Sequence, residues 1–314
     1  MSEKEFYKAA YRNKIFARVE PDQKEMLVKT LQSQNKFVGM VGDGVNDALA
    51  LKQANLGVAM YSGANATRRV ADIVLLDNSF NALPVGMKLG NRIMQAIELV
   101  ATLFFHKVIY GMIVLVATMA LSILYPFQPR HNTFMNVFFV TMPTIMWTIF
   151  PPLPRYRVNP KDFWKDTLLA VLPMAILTGS VVSFAYWYLQ KLSPNNPTGV
   201  ATTTVAIATG FGILMVFLVP IMLRATLNRA ALLARALYVI IASIVLFATF
   251  GFGYVRNFFD FTSPSLTGFL PLTLVLLGVA GLQILMARKA GKRVAKREID
   301  ALMDGMYFAE EDFE

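Results

Sequence analysis

Six apolar runs, each close to 20 residues long, succeed one another between residues 99 and 286. A helix needs about 20 consecutive apolar residues to cross the hydrocarbon core of a bilayer, so each run predicts one membrane-spanning helix. None of the runs contains an Asp or a Glu. The predicted spans are Leu99–Leu124, Phe134–Leu153, Thr167–Leu189, Val200–Leu223, Ala236–Val255 and Leu266–Met286.

The charge of the chain supports a membrane protein rather than a nucleic-acid partner. Only 16% of the residues are charged and 55% are hydrophobic, whereas soluble domains carry about a quarter charged residues. The net charge of +10 comes from Lys and Arg blocks between the apolar runs. Loops predicted to face the cytosol hold thirteen of these residues, and outward loops hold only Arg130, Lys191 and Arg256. This asymmetry predicts an integral membrane protein with both termini in the cytosol.

The first 85 residues have a different pattern, in which short apolar runs alternate with helical segments. Such alternation is typical of a parallel α/β sheet. The unit is small and begins abruptly, as expected of the later half of a larger sheet. The predicted strands are Ile15–Val19, Phe37–Val41, Leu56–Met60 and Ile73–Leu76, and the predicted helices are Pro21–Leu31, Asn46–Ala54 and Ala64–Ala71.

We therefore divide the chain into three parts: a cytosolic unit over 1–85, a membrane domain over 86–287 and a charged cytosolic tail over 288–314. The tail begins with a basic cluster that binds anionic lipid, has a regulatory role, or simply stops the last helix at the membrane surface. The absence of cysteine excludes a disulfide framework and cysteine-ligated metal centres.

A glycine-rich turn carries the most specific chemistry in the chain. Residues 42–47 read Gly-Asp-Gly-Val-Asn-Asp and follow a predicted strand, at the sheet edge where open α/β sheets bind ligands. Asp43 and Asp47 lie four residues apart, close enough for their oxygens to converge on one magnesium ion. The flanking glycines allow the backbone to approach a phosphate. The alternative interpretation is a turn that only caps the next helix.

Several segments together resemble the hinge and late phosphorylation domain of P-type ATPases, cation pumps built on a haloacid-dehalogenase-like domain. Beside the turn, they read FARVEPDQK at 16–24, ALALKQANLGVAM at 48–60, DIVLLDN at 72–78 and GNR at 90–92. The six predicted spans match the fifth to tenth helices of that family. The resemblance implies an α/β haloacid-dehalogenase-like (Rossmannoid) partial domain followed by an all-α six-helix transmembrane bundle.

The resemblance also implies a role for each residue of the turn. In this family, the lysine matching Lys24 contacts the aspartyl phosphate, and the aspartate matching Asp43 binds the catalytic Mg²⁺. The residues matching Asn46 and Asp47 complete the site. The implied cofactor is Mg²⁺, the implied substrate of the intact pump is ATP, and the implied cargo is a cation such as calcium. The implied location is the plasma membrane of a bacterium.

Parts of the family pattern are absent from this sequence. It contains no Asp-Lys-Thr-Gly-Thr acceptor motif and no Thr-Gly-Glu motif, and it lacks the nucleotide domain, the actuator and the first four helices. We expect that the chain alone forms no phosphoenzyme and that an N-terminal half supplies these parts. Two alternatives stay open: a non-catalytic remnant or half-pump that assembles with a separate chain, and a pump that moves a lipid or a polyamine.

The second predicted span holds the candidates for a transport site. Thr141, Thr144 and Thr148 fall on one face of a helix, and Pro143 frees backbone carbonyls there. Calcium pumps of the family carry Asn-x-x-Thr-Asp at the matching place, of which only Thr144 is present. The threonines therefore line half of a cation site or join neighbouring helices.

Two basic residues, His106 and Lys107, lie inside the first predicted span. One interpretation is that either residue provides a positive charge in the ion pathway. The alternative is that the Lys107 side chain extends to the membrane interface.

Overall fold

The computed structural model describes residues 3–150, 163–225, 228–262 and 269–311. The chain forms two compact units, one over Met1–Met87 and the other over Lys88–Glu314. Each unit is described by itself below.

The first unit contains a small parallel sheet. Its strands are β1 (Gly39–Gly42), β2 (Leu56–Met60) and β3 (Ile73–Leu75), hydrogen-bonded in the order β1-β2-β3. Val41 pairs with Val58, and Val58 pairs with Ile73 on its other side. The predicted parallel α/β arrangement is thus confirmed for these three strands.

Four helices accompany this sheet. They are α1 (Glu3–Arg12), α2 (Pro21–Ser33), α3 (Ala48–Gln53) and α4 (Asn65–Val70), and a 3-10 turn over Val45–Asp47 precedes α3. Proline at the first position of α2 has no N–H to leave unbonded and a backbone angle suited to a helix start. The predicted helices are confirmed within a few residues, whereas α1 is not foreseen by the apolar pattern.

The strand predicted at Ile15–Val19 is wrong, because this segment is irregular in the structure. Ile15 is 89% exposed, and no strand of the described residues pairs with it. Strand propensity describes how well a side chain fits a half-buried pleated surface, so an apolar run without such a surface remains irregular.

The second unit is helical throughout its described regular segments. In chain order its helices are α5 (Ala82–Ala120, which begins in the first unit), α6 (Pro129–Asn136), α7 (Met142–Ile149), α8 (Phe163–Leu192), α9 (Pro197–Met222), α10 (Arg229–Gly251), α11 (Gly253–Phe258) and α12 (Phe269–Glu311). Five of the described helices, α5, α8, α9, α10 and α12, are long and apolar enough to cross a bilayer.

The remaining predicted span, Phe134–Leu153, has a different construction. It consists of α6, a π-helical segment over Val137–Thr141 and α7, and its last three residues lie outside the described part of the chain. Proline has no N–H, so Pro143 cannot donate to a carbonyl one turn before it. The Phe138 carbonyl instead accepts a hydrogen bond from the Tyr238 hydroxyl of α10 at 3.1 Å.

A similar substitution of partners occurs in α9. Pro220 lies inside this helix and removes the N–H that would bond to the Val216 carbonyl. The Arg235 guanidinium of α10 approaches the Val216 and Phe217 carbonyls at 3.5 and 3.2 Å. Freed backbone carbonyls in this unit are therefore satisfied by side chains of a neighbouring helix, as the absence of water in a bilayer core requires.

Small residues allow close packing between the helices. The Phe139 ring covers Gly212 of α9, and a Cβ atom on Gly212 would fall within that ring. A Cβ atom on Gly179 of α8 would lie 2.7 Å from Cβ of Ile113 in α5. Such contacts are the usual basis of helix association in membranes, where apolar surface alone gives no driving force.

Two glycines of α9 provide a matched test of this packing. We expect Gly212→Ala to destabilise the unit by about 1–3 kcal/mol or more, because the buried aromatic ring must move. A Cβ atom on Gly210 would meet no atom of another described element within 4 Å, so Gly210→Ala should be neutral or slightly stabilising. Thermal unfolding of the purified chain in detergent measures both. Equal midpoints for the two variants would contradict the close contact with Phe139.

Candidate active site

The carboxyl end of β1 presents an open carboxylate. Asp43 follows the last residue of β1 and is exposed, as is Asn46 in the 3-10 turn that comes next. Within the described residues, neither the Asp43 carboxylate nor the Asn46 amide accepts a hydrogen bond from a protein donor. Both side chains are therefore available to an external ligand at the sheet edge where parallel α/β proteins bind theirs.

Asp47 is buried directly beneath this turn and forms an ion pair. Its Oδ1 accepts a hydrogen bond from the Lys24 ammonium of α2 at 2.7 Å, and its Oδ2 accepts one from the Gly44 N–H at 3.2 Å. The Asp47 side chain lies against Gly42, where a Cβ atom would come within 2.5 Å of the Asp47 Cβ. The glycine that ends β1 is thus required by the position of the aspartate.

The environment of Asp47 keeps it ionised. Burial raises the pKa of this carboxyl, but the hydrogen bonds from Lys24 and Gly44 and the positive charge of Lys24 outweigh that effect. The pKa of Asp47 consequently lies below its ordinary value. The negative charge of Asp47 in turn holds the half-buried Lys24 ammonium in place beside the turn.

This geometry changes the sequence-based view of the metal site. We expected the oxygens of Asp43 and Asp47 to converge on one cation, but both oxygens of Asp47 already accept hydrogen bonds from the protein. No cluster of three or more acidic, His or Cys side chains suited to a metal occurs among the described residues. The turn offers one open carboxylate, Asp43. This fits Mg²⁺, which commonly takes one or two protein carboxylates and completes its shell with water and phosphate oxygens.

A second loop supports Asp43 from the carboxyl end of β2, and sequence reasoning did not find it. The Ala64 N–H donates to the Asp43 carbonyl at 2.7 Å, and a Cβ atom on Gly63 would lie 2.6 Å from that carbonyl oxygen. The Ser62 N–H donates to the Asn78 side chain at 2.8 Å. The available signal was the Ser-Gly pair at 62–63, which begins two residues after the end of β2.

The threonines of the membrane unit do not share one surface. Thr141 is exposed, whereas the Thr144 hydroxyl is buried with no hydrogen-bond partner among the described residues. Thr144 and Thr148 line a cavity of about 570 Å³ between α5 and α7, together with Arg92, Trp147 and a mainly apolar wall. Thr141, the last residue of the π-helical segment, is not among the residues that line this cavity.

Polar side chains of α5 are more deeply placed than the apolar runs indicated. The Lys107 ammonium donates a hydrogen bond to the Asn136 side chain of α6. Glu98, which comes just before the first predicted span, is 3% exposed within α5, and the neighbouring Gln95 is fully buried. His106 is also fully buried.

Comparison with known proteins agrees with this arrangement. Residues 24–85 match the family described as haloacid dehalogenase-like hydrolase. Calcium-transporting ATPase CtpE of Mycolicibacterium smegmatis is 40% identical over 181 residues, which cover 54% of this chain and 22% of that protein. The chain is thus similar to the C-terminal portion of P-type ATPases.

Two further relatives match a larger share of the chain. The probable cation-transporting ATPase exp7 of Streptococcus pneumoniae is 31% identical over 59% of this chain and 24% of its own length. Calcium-transporting ATPase lmo0841 of Listeria monocytogenes is 29% identical over 66% of this chain and 24% of its own length. The matched segment thus spans less than a quarter of each of these relatives. The haloacid-dehalogenase-like fold class, with helices suited to a membrane after it, is confirmed.

Asp47→Asn tests the ion pair. At pH 7 we expect weaker protection of α2 and the 3-10 turn, by about 1–3 kcal/mol of local opening free energy, because Lys24 loses its charged partner. The pKa of Asp47 is depressed in the folded state, so its stabilisation is present above the unfolded value of about 4 and is lost as the pH falls through the lower folded value. The difference from wild type should therefore shrink in acid.

Hydrogen–deuterium exchange of the full chain, read by mass spectrometry at neutral and acidic pH, measures this difference. Glu25→Gln is the matched control, because Glu25 pairs with Lys29 on the surface of the same helix and such pairs contribute only about 0.3–0.5 kcal/mol. A difference that persists unchanged in acid would show that the ion pair is not its cause.

Proposed function

We propose that this chain supplies the Mg²⁺-binding half of the phosphorylation site, and part of the ion pathway, of an ATP-driven P-type cation pump. One observation carries the proposal: the open Asp43 carboxylate stands at the carboxyl end of β1, with Lys24 held beside the same turn by buried Asp47. The relatives named calcium- or cation-transporting ATPases support it.

The proposed chemistry is phosphoryl transfer, in which the protein mainly positions groups and neutralises charge. Asp43 would hold Mg²⁺, which would supply positive charge to neutralise the phosphoryl oxygens. Lys24 would place a positive charge beside the phosphoryl group, while Asp47 fixes its direction. Asn46 is exposed in the same turn. Its side-chain amide would donate a hydrogen bond to the substrate or accept one from it.

The phosphate acceptor and the nucleotide-binding part have to come from outside these residues. We propose that a longer polypeptide or a separately encoded N-terminal half supplies them, together with the actuator and the first four membrane helices. The concentration of Lys and Arg in alternate loops supports a cytosolic location of both termini. We place the protein in the plasma membrane of a bacterium, in keeping with the bacterial relatives.

The proposed cargo is a cation, with calcium as the first candidate because relatives carry that name. Thr144 and Thr148 face the cavity between α5 and α7, where they would offer hydroxyl or backbone oxygens. The Thr144 hydroxyl has no partner among the described residues, so it is free to contact a cation. Thr141, the last residue of the π-helical segment, is exposed and is the weaker of the two transport candidates.

The role of Asp43 is tested in the full-length protein, or in membranes where this chain is expressed with its N-terminal half. We expect Asp43→Asn to reduce phosphoenzyme formation from labelled ATP at least ~100-fold, because no other open carboxylate is present in the turn to hold the metal. Asp22→Asn, which removes an exposed charge from the first turn of α2, is the control. Wild-type phosphorylation of Asp43→Asn would refute the assignment.

The role of Thr144 is tested by the cation dependence of ATP hydrolysis in reconstituted vesicles. Thr144→Val keeps the shape of the side chain and removes the hydroxyl, so we expect the apparent affinity for the transported cation to fall several-fold with little change in maximal phosphorylation. Thr133→Val, at an exposed position of α6, is the control. Comparing calcium, other cations, a polyamine and lipid as activators identifies the cargo, and activation by lipid or polyamine alone would overturn the cation assignment.

A further inference from the structure

Three buried polar side chains from three different helices meet inside the membrane unit. His106 of α5, Thr178 of α8 and Gln283 of α12 each have no exposed surface. The Gln283 amide nitrogen donates to the Thr178 hydroxyl oxygen at 2.8 Å, and that oxygen lies 3.0 Å from Nε2 of His106. We call these residues the buried triad.

The hydrogen bonds of the buried triad have a direction. The Thr178 oxygen accepts from Gln283, so its own proton needs an acceptor. Many threonines of this unit donate to the carbonyl four residues earlier, as Thr102 and Thr203 do. Within the described residues, Thr178 has no such bond and only His106 Nε2 is in reach. Nε2 therefore accepts, and in a neutral imidazole the proton then resides on Nδ1.

Two atoms of the buried triad have no protein partner in the described part of the chain. They are Nδ1 of His106 and Oε1 of Gln283, and both are buried. One is a donor and the other is an acceptor. In a bilayer core, where bulk water is absent, leaving either unsatisfied costs several kcal/mol.

We propose that the buried triad is a binding site for a single water molecule. The water accepts a hydrogen bond from His106 Nδ1–H and donates one to Gln283 Oε1, which closes a ring of hydrogen bonds through α5, α8 and α12. Water combines both capacities in one small molecule, and internal waters typically have two to four polar partners. A metal cation does not fit, because it would face the N–H of His106 and no carboxylate belongs to the triad.

The packing around the buried triad favours a small ligand. Gly179, next to Thr178, lets α8 approach α5 so closely that a Cβ atom there would lie 2.7 Å from Ile113 Cβ. The Tyr110 ring lies against the imidazole with centroids 5.5 Å apart. The site joins three helices through polar contacts independently of the proposed transport reaction.

Nitrogen-15 NMR of histidine-labelled full chain in nanodiscs tests the site directly, because the chain has only two histidines. His131 is an internal reference of opposite tautomer: its Nδ1 lies 3.3 Å from the Gln128 N–H, and its Nε2 lies 3.0 Å from the Phe259 carbonyl. For His106 we expect a protonated Nδ1, an unprotonated Nε2 and magnetisation transfer from Nδ1–H to a long-lived water. The His131→Gln variant assigns the signals, because only those of His106 remain in it.

Variants of Gln283 and Thr178 distinguish the contribution of the water from that of the hydrogen bonds between protein side chains. Gln283→Met should abolish the transfer to water and keep the Nδ1–H tautomer. Thr178→Val should mix the two tautomers, and Thr178→Ser, which restores the hydroxyl, should return the wild-type pattern even if the valine variant folds poorly. A His106 protonated on Nε2, transfer to water that persists in Gln283→Met, or His106 signals that shift on titration with sodium, potassium or calcium would each overturn the proposal.

Discussion

The membrane unit depends on one constraint, that polar groups within a bilayer need partners inside the protein. Pro143 and Pro220 each remove a backbone donor, and in both places α10 supplies the replacement, the Tyr238 hydroxyl for the Phe138 carbonyl and the Arg235 guanidinium near the Val216 carbonyl. The irregular helices that result are therefore stable only as part of the bundle. The same constraint underlies the buried triad, whose remaining donor and acceptor call for a ligand.

The first unit depends on the geometry of parallel strands. Because β1 and β2 run in the same direction, their carboxyl ends share an edge, and the Gly-Asp-Gly turn and the Ser-Gly loop meet there. Gly42 makes room for Asp47, Asp47 holds Lys24, and Gly63 lets the second loop reach the Asp43 backbone. Asp43 is the one acidic side chain of the turn left open. The two aspartates of the motif thus have different roles. Asp47 is structural, whereas Asp43 is exposed and suits a metal ligand.

Sequence reasoning reached the α/β and membrane division, three of the four strands and the residues of the turn. It was wrong about Ile15–Val19, because propensity cannot supply a neighbouring strand. It also did not foresee the hydrogen bonds from Lys24 and Gly44 to Asp47, because spacing does not reveal which carboxylate is already bonded. Sequence reasoning placed Glu98 outside the first span, because an apolar run ends at a charged residue. In the structure, helix α5 continues through Glu98, and this side chain is buried.

The sequence alone determined the division into an α/β unit and apolar helices, the charge of the loops and the motifs between residues 16 and 92. These features depend on local composition and on periods of 2 or 3.6 residues. Tertiary structure alone decided which donor meets which acceptor. Lys24 and Asp47 are 23 positions apart, and His106 and Gln283 are separated by most of the membrane unit. Such partners are selected by helix packing and strand order, which depend on contacts across the whole chain and leave no periodic trace in it.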